Sequence, residues 1–161
     1  MHEFSISQNQ PPEQLYDDLI SAACALTDGE SDSIANMANI SALIWQFLPD
    51  LNWAGFYRMI DGELVLGPFQ GKSACIRIAL DTGVCGAAAS TNQVQRVADV
   101  HAFPGHIACD ADSRSELVVP IGIDGRVTAV LDLDSPLPDR FSAEDEAGMT
   151  KLVAAIANRL G

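Results

Sequence analysis

Leu117-Val118-Val119-Pro120-Ile121-Gly122-Ile123, Asp124-Gly125 and Val127-Thr128-Ala129-Val130-Leu131-Asp132-Leu133 form one continuous pattern: two apolar, β-branched runs joined by a two-residue turn. Asp-Gly between such runs is a strong hairpin signal, because both positions tolerate the positive φ that a tight turn needs. An antiparallel hairpin is therefore expected here, ended by Ser135-Pro136. Upstream, Trp53 begins a second alternation, with Trp53, Gly55 and Tyr57 on one face and Ala54, Phe56 and Arg58 on the other. Asp61-Gly62 turns that strand back into Leu64-Val65-Leu66. A further strand is expected around Cys75 to Leu80.

Helical spacing frames these strands. Leu15, Tyr16, Leu19, Ile20 and Ala23 recur at intervals of three and four after Pro11-Pro12, predicting a first helix that ends near Asp28-Gly29. Met37, Ile40, Ile44 and Phe47 or Leu48 form the stripe of a second, capped by Ser31 or Ser33 and stopped by Pro49. Gly83 to Ser90 reads as a short helix entered through glycines and closed by Thr91-Asn92-Gln93. Ser142 with Asp145 resembles a capping box ahead of Met149, Leu152, Val153, Ile156 and Leu160. Val97 through Ser115 has no clear period and is expected to be a long structured loop, a kind of segment that often carries function. The order of elements suggests an α+β class: a central antiparallel sheet with N- and C-terminal helices on one side and active-site loops on the other, in a single domain spanning 1–161.

Composition narrows the function. The chain has 161 residues, 48% of them apolar, which suffices for one core, and no apolar run approaches the roughly 20 residues of a membrane helix. No secretory or organelle signal precedes the first helix, so a cytoplasmic protein that does not act at a membrane is expected. Nine basic residues against 22 acidic ones give a surface that repels phosphate backbones, which argues against nucleic acid as a partner. Four cysteines in a reducing compartment point to catalysis or metal binding rather than to a structural disulfide framework.

Cys24 falls on the apolar side of the first helix and reads as a small buried hydrophobe. Cys109 lies in Phe103-Pro104-Gly105-His106-Ile107-Ala108-Cys109-Asp110, where proline and glycine fix the backbone and a histidine is three residues away. Cys75 and Cys85 lie before and inside a glycine-rich turn, where backbones can approach closely. Three thiols outside the terminal helices suit redox chemistry. Asp132 and Asp134 share one face of their strand, and Glu116 opens the preceding strand. If that face is buried, repulsion and desolvation raise at least one carboxyl pKa and leave a proton available at neutral pH; if it is solvated, the aspartates merely cap the turn. Trp53 and Tyr57 share a face that serves either as core or as an apolar wall suited to a methyl-bearing sulfur. His101 and His106 read as surface or hydrogen-bonded loop residues.

Gly71-Lys72-Ser73-Ala74-Cys75, Gly83-Val84-Cys85-Gly86, the Phe103–Asp110 segment, Ser115-Glu116-Leu117-Val118-Val119-Pro120 and Val130-Leu131-Asp132-Leu133-Asp134-Ser135-Pro136 together resemble the free methionine-(R)-sulfoxide reductase family. The match runs from the first helix to the last, with three cysteines in register. It implies a GAF fold around one free amino acid, with Cys109 attacking the sulfoxide sulfur, Cys75 resolving, and Cys85 as a third, less essential cysteine able to form an alternative disulfide. The resemblance further implies that Glu116, Asp132 and Asp134 contact the substrate and that Trp53 and Tyr57 pack around its sulfur-methyl end. It implies thioredoxin as the reductant and no metal or organic cofactor. A homodimer through the helical layer is expected.

Two other readings compete. A ligand-sensing GAF module would use the same pocket without chemistry, although sensors are usually joined to an output domain. A zinc site from Cys75, Cys85, His101, His106 and Cys109 is disfavoured by the absence of a close Cys-x-x-Cys pair.

Overall fold

The computed structural model describes residues 10–105 and 111–161. Helices α1 (Pro12–Leu26) and α2 (Ser33–Phe47) precede strands β1 (Trp53–Ile60), β2 (Glu63–Gly71) and β3 (Arg77–Ile78). Helix α3 (Gly83–Thr91), strand β4 (Gln95–Val97) and a 3-10 turn at Val100–Ala102 follow. Strands β5 (Ser115–Ile123) and β6 (Arg126–Ser135) lead into helix α4 (Ala143–Ile156). The six strands form one sheet in the order β3-β2-β1-β6-β5-β4, and all of its pairings are antiparallel. The expected α+β architecture is what the chain adopts.

Both hairpin turns follow the sequence. Asp61 and Gly62 have φ of 53° and 87°, Asp124 and Gly125 have 50° and 78°, and positive φ at both central positions matches the right-handed strand twist. Alternation then sorts the sheet into two faces. Ala54, Phe56, Leu117, Val119, Ile121, Ala129, Leu131 and Leu133 pack with the stripes of α1, α2 and α4 in the larger core. Trp53, Tyr57, Val118 and Val130 lie on the opposite face, packed with Val84, Cys85, Ala88 and Ala89 of α3.

Local details depart from expectation at four places. Asp32, not Ser31 or Ser33, caps α2, its side chain accepting from the Ala35 N–H at 2.8 Å. The strand expected over Cys75–Leu80 is only two residues long. The expected loop contains the end of β4, which pairs with Glu116 to Val118; Arg96 and the polar Gln95 obscured this edge strand. Leu160 is buried as expected but lies beyond α4, after a 3-10 turn at Ala157–Arg159. The Ser142–Asp145 capping box is present in both directions.

That box does more than start α4. The Asp145 carboxylate accepts from the Ser142 N–H, from Arg140 Nη1 at 3.0 Å and from the buried Tyr16 hydroxyl of α1. The Tyr16 ring lies flat against α4 at Gly148, where an added Cβ would meet three ring carbons at 2.2, 2.4 and 2.5 Å. Helix propensity alone makes Gly→Ala stabilising by about 1 kcal/mol, but this clash reverses the sign. Gly148→Ala should lower the unfolding free energy by about 1–3 kcal/mol, read from the urea midpoint at constant m-value. A midpoint that rises would show that Tyr16 does not fix the α1–α4 distance.

Candidate functional site

The face of the sheet opposite α1, α2 and α4 carries the polar residues singled out in the sequence, and register explains why they meet. Gly55 pairs with Asp132 and Asp132 with Val118, while in the adjacent row Trp53 pairs with Asp134 and Asp134 with Glu116. Three neighbouring strands thus deliver two aspartates, a glutamate and an aromatic pair to one patch. Glu116 and Asp132 are buried, at 7% and 6% exposure, and Asp134 is half-buried. Of the two readings of the aspartates, the solvated one is excluded for Asp132.

Helix α3 closes over the carboxyl groups. Gly83 enters it at φ 68°, its N–H donating to the Gly105 carbonyl at 3.1 Å. Gly86 allows α3 to press against the preceding segment, since a Cβ there would lie 2.7 Å from the Ala79 carbonyl oxygen. This packing sets the buried Cys85 Sγ 3.9 Å from Glu116 Oε1, the long contact of a weak S–H donor. Cys85, Glu116 and Asp132 each place one ligand atom within 4.8 Å of the others, a spacing that suits a cation, whether a metal ion or an ammonium group.

The electrostatics follow from burial. Desolvation pushes the Glu116 carboxyl well above its usual range, and the charges of Asp132 and Asp134 push it further. Burial raises Asp132 to about 7, partly offset by hydrogen bonds to Cys85 and Glu116. Burial and the neighbouring carboxylates also push the Cys85 thiol up, so it stays protonated at neutral pH. Asp132 Oδ1 is buried without a hydrogen-bond partner among the described residues, a costly arrangement unless a donor arrives.

The aromatic residues are wall and brace at once. Trp53 stacks on Tyr57 at 5.7 Å and on Phe69 of β2 at 5.1 Å. Phe69 was missed in the sequence; its signal is the register opposite Gly55, where a Cβ would lie 2.3 Å from the Phe69 Cβ. The polar tips of Trp53 and Tyr57 donate to backbone carbonyls of one segment, Trp53 Nε1 to Lys72 at 3.1 Å and the Tyr57 hydroxyl to Cys75 at 3.0 Å. Cys75 is half-buried and disulfide-bonded, whereas Cys24 and Cys85 are free thiols. Cys24 packs against the helical core on the side its helical position implied, but is half-buried rather than buried. His101 lies exposed in the 3-10 turn. Cys109 and His106 lie outside the described residues.

Comparison with known proteins matches residues 11–160 to the GAF domain model. The free methionine-R-sulfoxide reductase of Escherichia coli is 52% identical over 89% of this chain and 87% of that protein. The Saccharomyces cerevisiae protein of the same name is 42% identical over 93% of this chain and 88% of its own. The X-ray structure of free methionine-R-sulfoxide reductase from Neisseria meningitidis in complex with its substrate superposes with a TM-score of 0.94 at 38% identity, covering 99% of this chain and 96% of that one.

The buried acids make stability depend on pH in a defined direction. Between about pH 4 and 7 the unfolded chain has released the Asp132 proton that the folded chain still holds, so protons favour the folded state and stability falls as pH rises through this window. One such proton changes stability by about 1.4 kcal/mol per pH unit. Asp132→Asn should remove that part of the slope and be more stable than wild type at pH 8, measured by urea unfolding from pH 4.5 to 8. Parallel curves for the two proteins would mean that Asp132 is not buried as an acid.

Proposed function

The chain belongs to the GAF domain family and, within it, to the free methionine-R-sulfoxide reductases, oxidoreductases that act on the free amino acid, and from that premise we propose how its residues divide the reaction. The observation that carries the proposal is the buried Glu116–Asp132 pair, on the same sheet face as the Trp53–Tyr57 stack, whose polar tips hold the Cys75 segment.

In this reading one GAF domain over 1–161 encloses methionine R-sulfoxide with its sulfur-methyl end against Trp53 and Tyr57. The ammonium of a free amino acid brings a cation to the acidic patch, with the Asp132 Oδ1 that has no partner among the described residues as acceptor and Asp134 beside it. A residue inside a polypeptide has no such ammonium, which favours the free substrate. The Glu116–Asp132 pair holds a proton at neutral pH and donates it to the sulfoxide oxygen, making that oxygen a competent leaving group. The Cys109 thiolate attacks the sulfoxide sulfur, the S–O bond transfers its oxygen to Cys109, and methionine leaves with a sulfenic acid on the enzyme. Cys75 then attacks the sulfenic sulfur, releasing water and forming a Cys75–Cys109 disulfide. The disulfide at Cys75 supports its part as the resolving cysteine. Cys85, buried and protonated, serves the carboxyl cluster and is only a slow alternative resolver. A dithiol of low potential, thioredoxin in the cytoplasm, reduces the disulfide. We place the contact of a homodimer on the helical layer, where Ile34 and Trp45 of α2 are exposed.

The test is methionine release from the R and S sulfoxides separately, with dithiothreitol as reductant. Wild type should release methionine from the R form only, and Cys109→Ser should release none. Glu116→Gln should lower turnover by on the order of 10²-fold or more, the scale of a lost general acid. Cys75→Ser should yield one equivalent of methionine in a burst and then turn over only at the slow rate at which Cys85 resolves, when thioredoxin is the sole reductant. Ligand binding without release from either form would favour the sensor reading instead.

A further inference from the structure

Reduction of the Cys75 disulfide by a protein needs more than a reactive bond, since a folded dithiol must dock before its thiolate can align with the attacked sulfur. We infer that Ile76 is the apolar anchor on which that protein dithiol docks, an inference that rests on the catalytic cycle proposed above.

Ile76 is 72% exposed and directly follows the disulfide-bonded Cys75. A single exposed aliphatic side chain is ordinary on a protein surface, so exposure alone would mean little. Its setting adds two observations. The first is rigidity: three carbonyls of the segment are pinned from below, Lys72 by Trp53, Cys75 by Tyr57 and Ile76 by the Leu66 N–H at 2.9 Å. Ala74 and Cys75 pack against the core of the site and Ile78 is buried. With its backbone held, Ile76 is displayed at the surface beside the bond to be reduced.

The second observation is charge. The chain carries a net charge of −13 with only nine basic residues, yet Lys72 and Arg77 flank this short segment. Each is matched locally, Lys72 with Asp112 and Arg77 with Glu63. The result is an apolar-centred spot flanked by two of the few cations on a strongly acidic molecule, so like-charge repulsion of an approaching protein is weaker here than over the rest of the surface. Once it is docked, one of its thiolates attacks a sulfur of the disulfide to give a mixed disulfide. Its second thiol then displaces the enzyme, leaving an oxidised partner and two enzyme thiols, with two electrons and two protons transferred.

A small dithiol needs no docking surface, and that difference supplies the test. Oxidised full-length protein is mixed with reduced thioredoxin or with dithiothreitol, and thiol appearance at Cys75 is followed by quenched alkylation and mass analysis. Ile76→Ser should slow reduction by thioredoxin on the order of tenfold, as expected for losing an aliphatic anchor from an interface, and leave reduction by dithiothreitol unchanged. Ile76→Leu, which keeps the apolar surface, should behave as wild type with both. Unchanged thioredoxin rates in Ile76→Ser would overturn the proposal, and so would equal slowing with both reductants, which would assign Ile76 to the shape of the disulfide segment. Because thiol appearance is read without sulfoxide, failure of the docking idea and failure of the reductase cycle are seen separately.

Discussion

Two carboxyl groups and a thiol buried side by side, with no cation among the described residues to balance them, are the constraint around which the site is built. Water would solvate Glu116 and Asp132 as anions; α3 and the sheet deny them that. The protein is then left with two ways to lower the cost: retain a proton or admit a cation. On the proposed cycle both are used: the sulfoxide is held by its ammonium and protonated on its oxygen. The fold tolerates the unfavourable patch because strand β6 is used on both sides. Leu131 and Leu133 enter the large helical core while Asp132 and Asp134 face the other way, so a slip of one residue would exchange leucines for acids. The Asp124-Gly125 turn therefore fixes the chemistry as well as the hairpin.

Coupling between pocket and disulfide runs through Trp53 and Tyr57. Their rings belong to the patch that holds the acids, and their polar tips hold the backbone of the Cys75 segment. Gly55 makes this possible, because any side chain there would collide with Phe69 and push apart the stack that Trp53 shares with it. A residue with no side chain is thus needed at the centre of a strand, where glycine is otherwise unfavourable.

Much of this was legible in the sequence, for physical reasons that also mark its limits. The two Asp-Gly turns, the apolar stripes and the Ser142–Asp145 box are local signals, and each maps to the element it predicts. The shared face of Trp53 and Tyr57 and of Asp132 and Asp134 follows from the two-residue strand period. What local reading misses depends on pairing across the chain. β4 exists because β5 offers it an edge, not because Gln95-Arg96-Val97 is a strong strand sequence. Phe69 enters the site only through its register opposite Gly55. The association of Cys85 with Glu116 depends on how deeply α3 settles, which Gly86 controls and no spacing reveals. Asp32 caps α2 in place of its serine neighbours because three adjacent residues could all accept the bond and geometry selects one.

The same acids explain why two cysteines so close in sequence would play different parts. Disulfide formation from a sulfenic acid requires a thiolate, and the fraction of thiolate falls about tenfold for each unit that the thiol pKa rises above ambient pH. Cys85 is buried against Glu116 and Asp132, whose negative charge and dry surroundings hold its proton in place. Cys75 stands in a half-buried segment that reaches the surface at Ile76, where solvent and a partner can approach. On the proposed cycle, the carboxyl cluster that keeps a proton for the sulfoxide oxygen also silences the thiol beside it. Resolution then falls to the cysteine that an external dithiol can reach. An alternative disulfide through Cys85 would have to draw its sulfur out from between two acids, leaving them buried without its weak donor. The arrangement thus selects a recyclable disulfide over a sequestered one without a dedicated residue for the purpose.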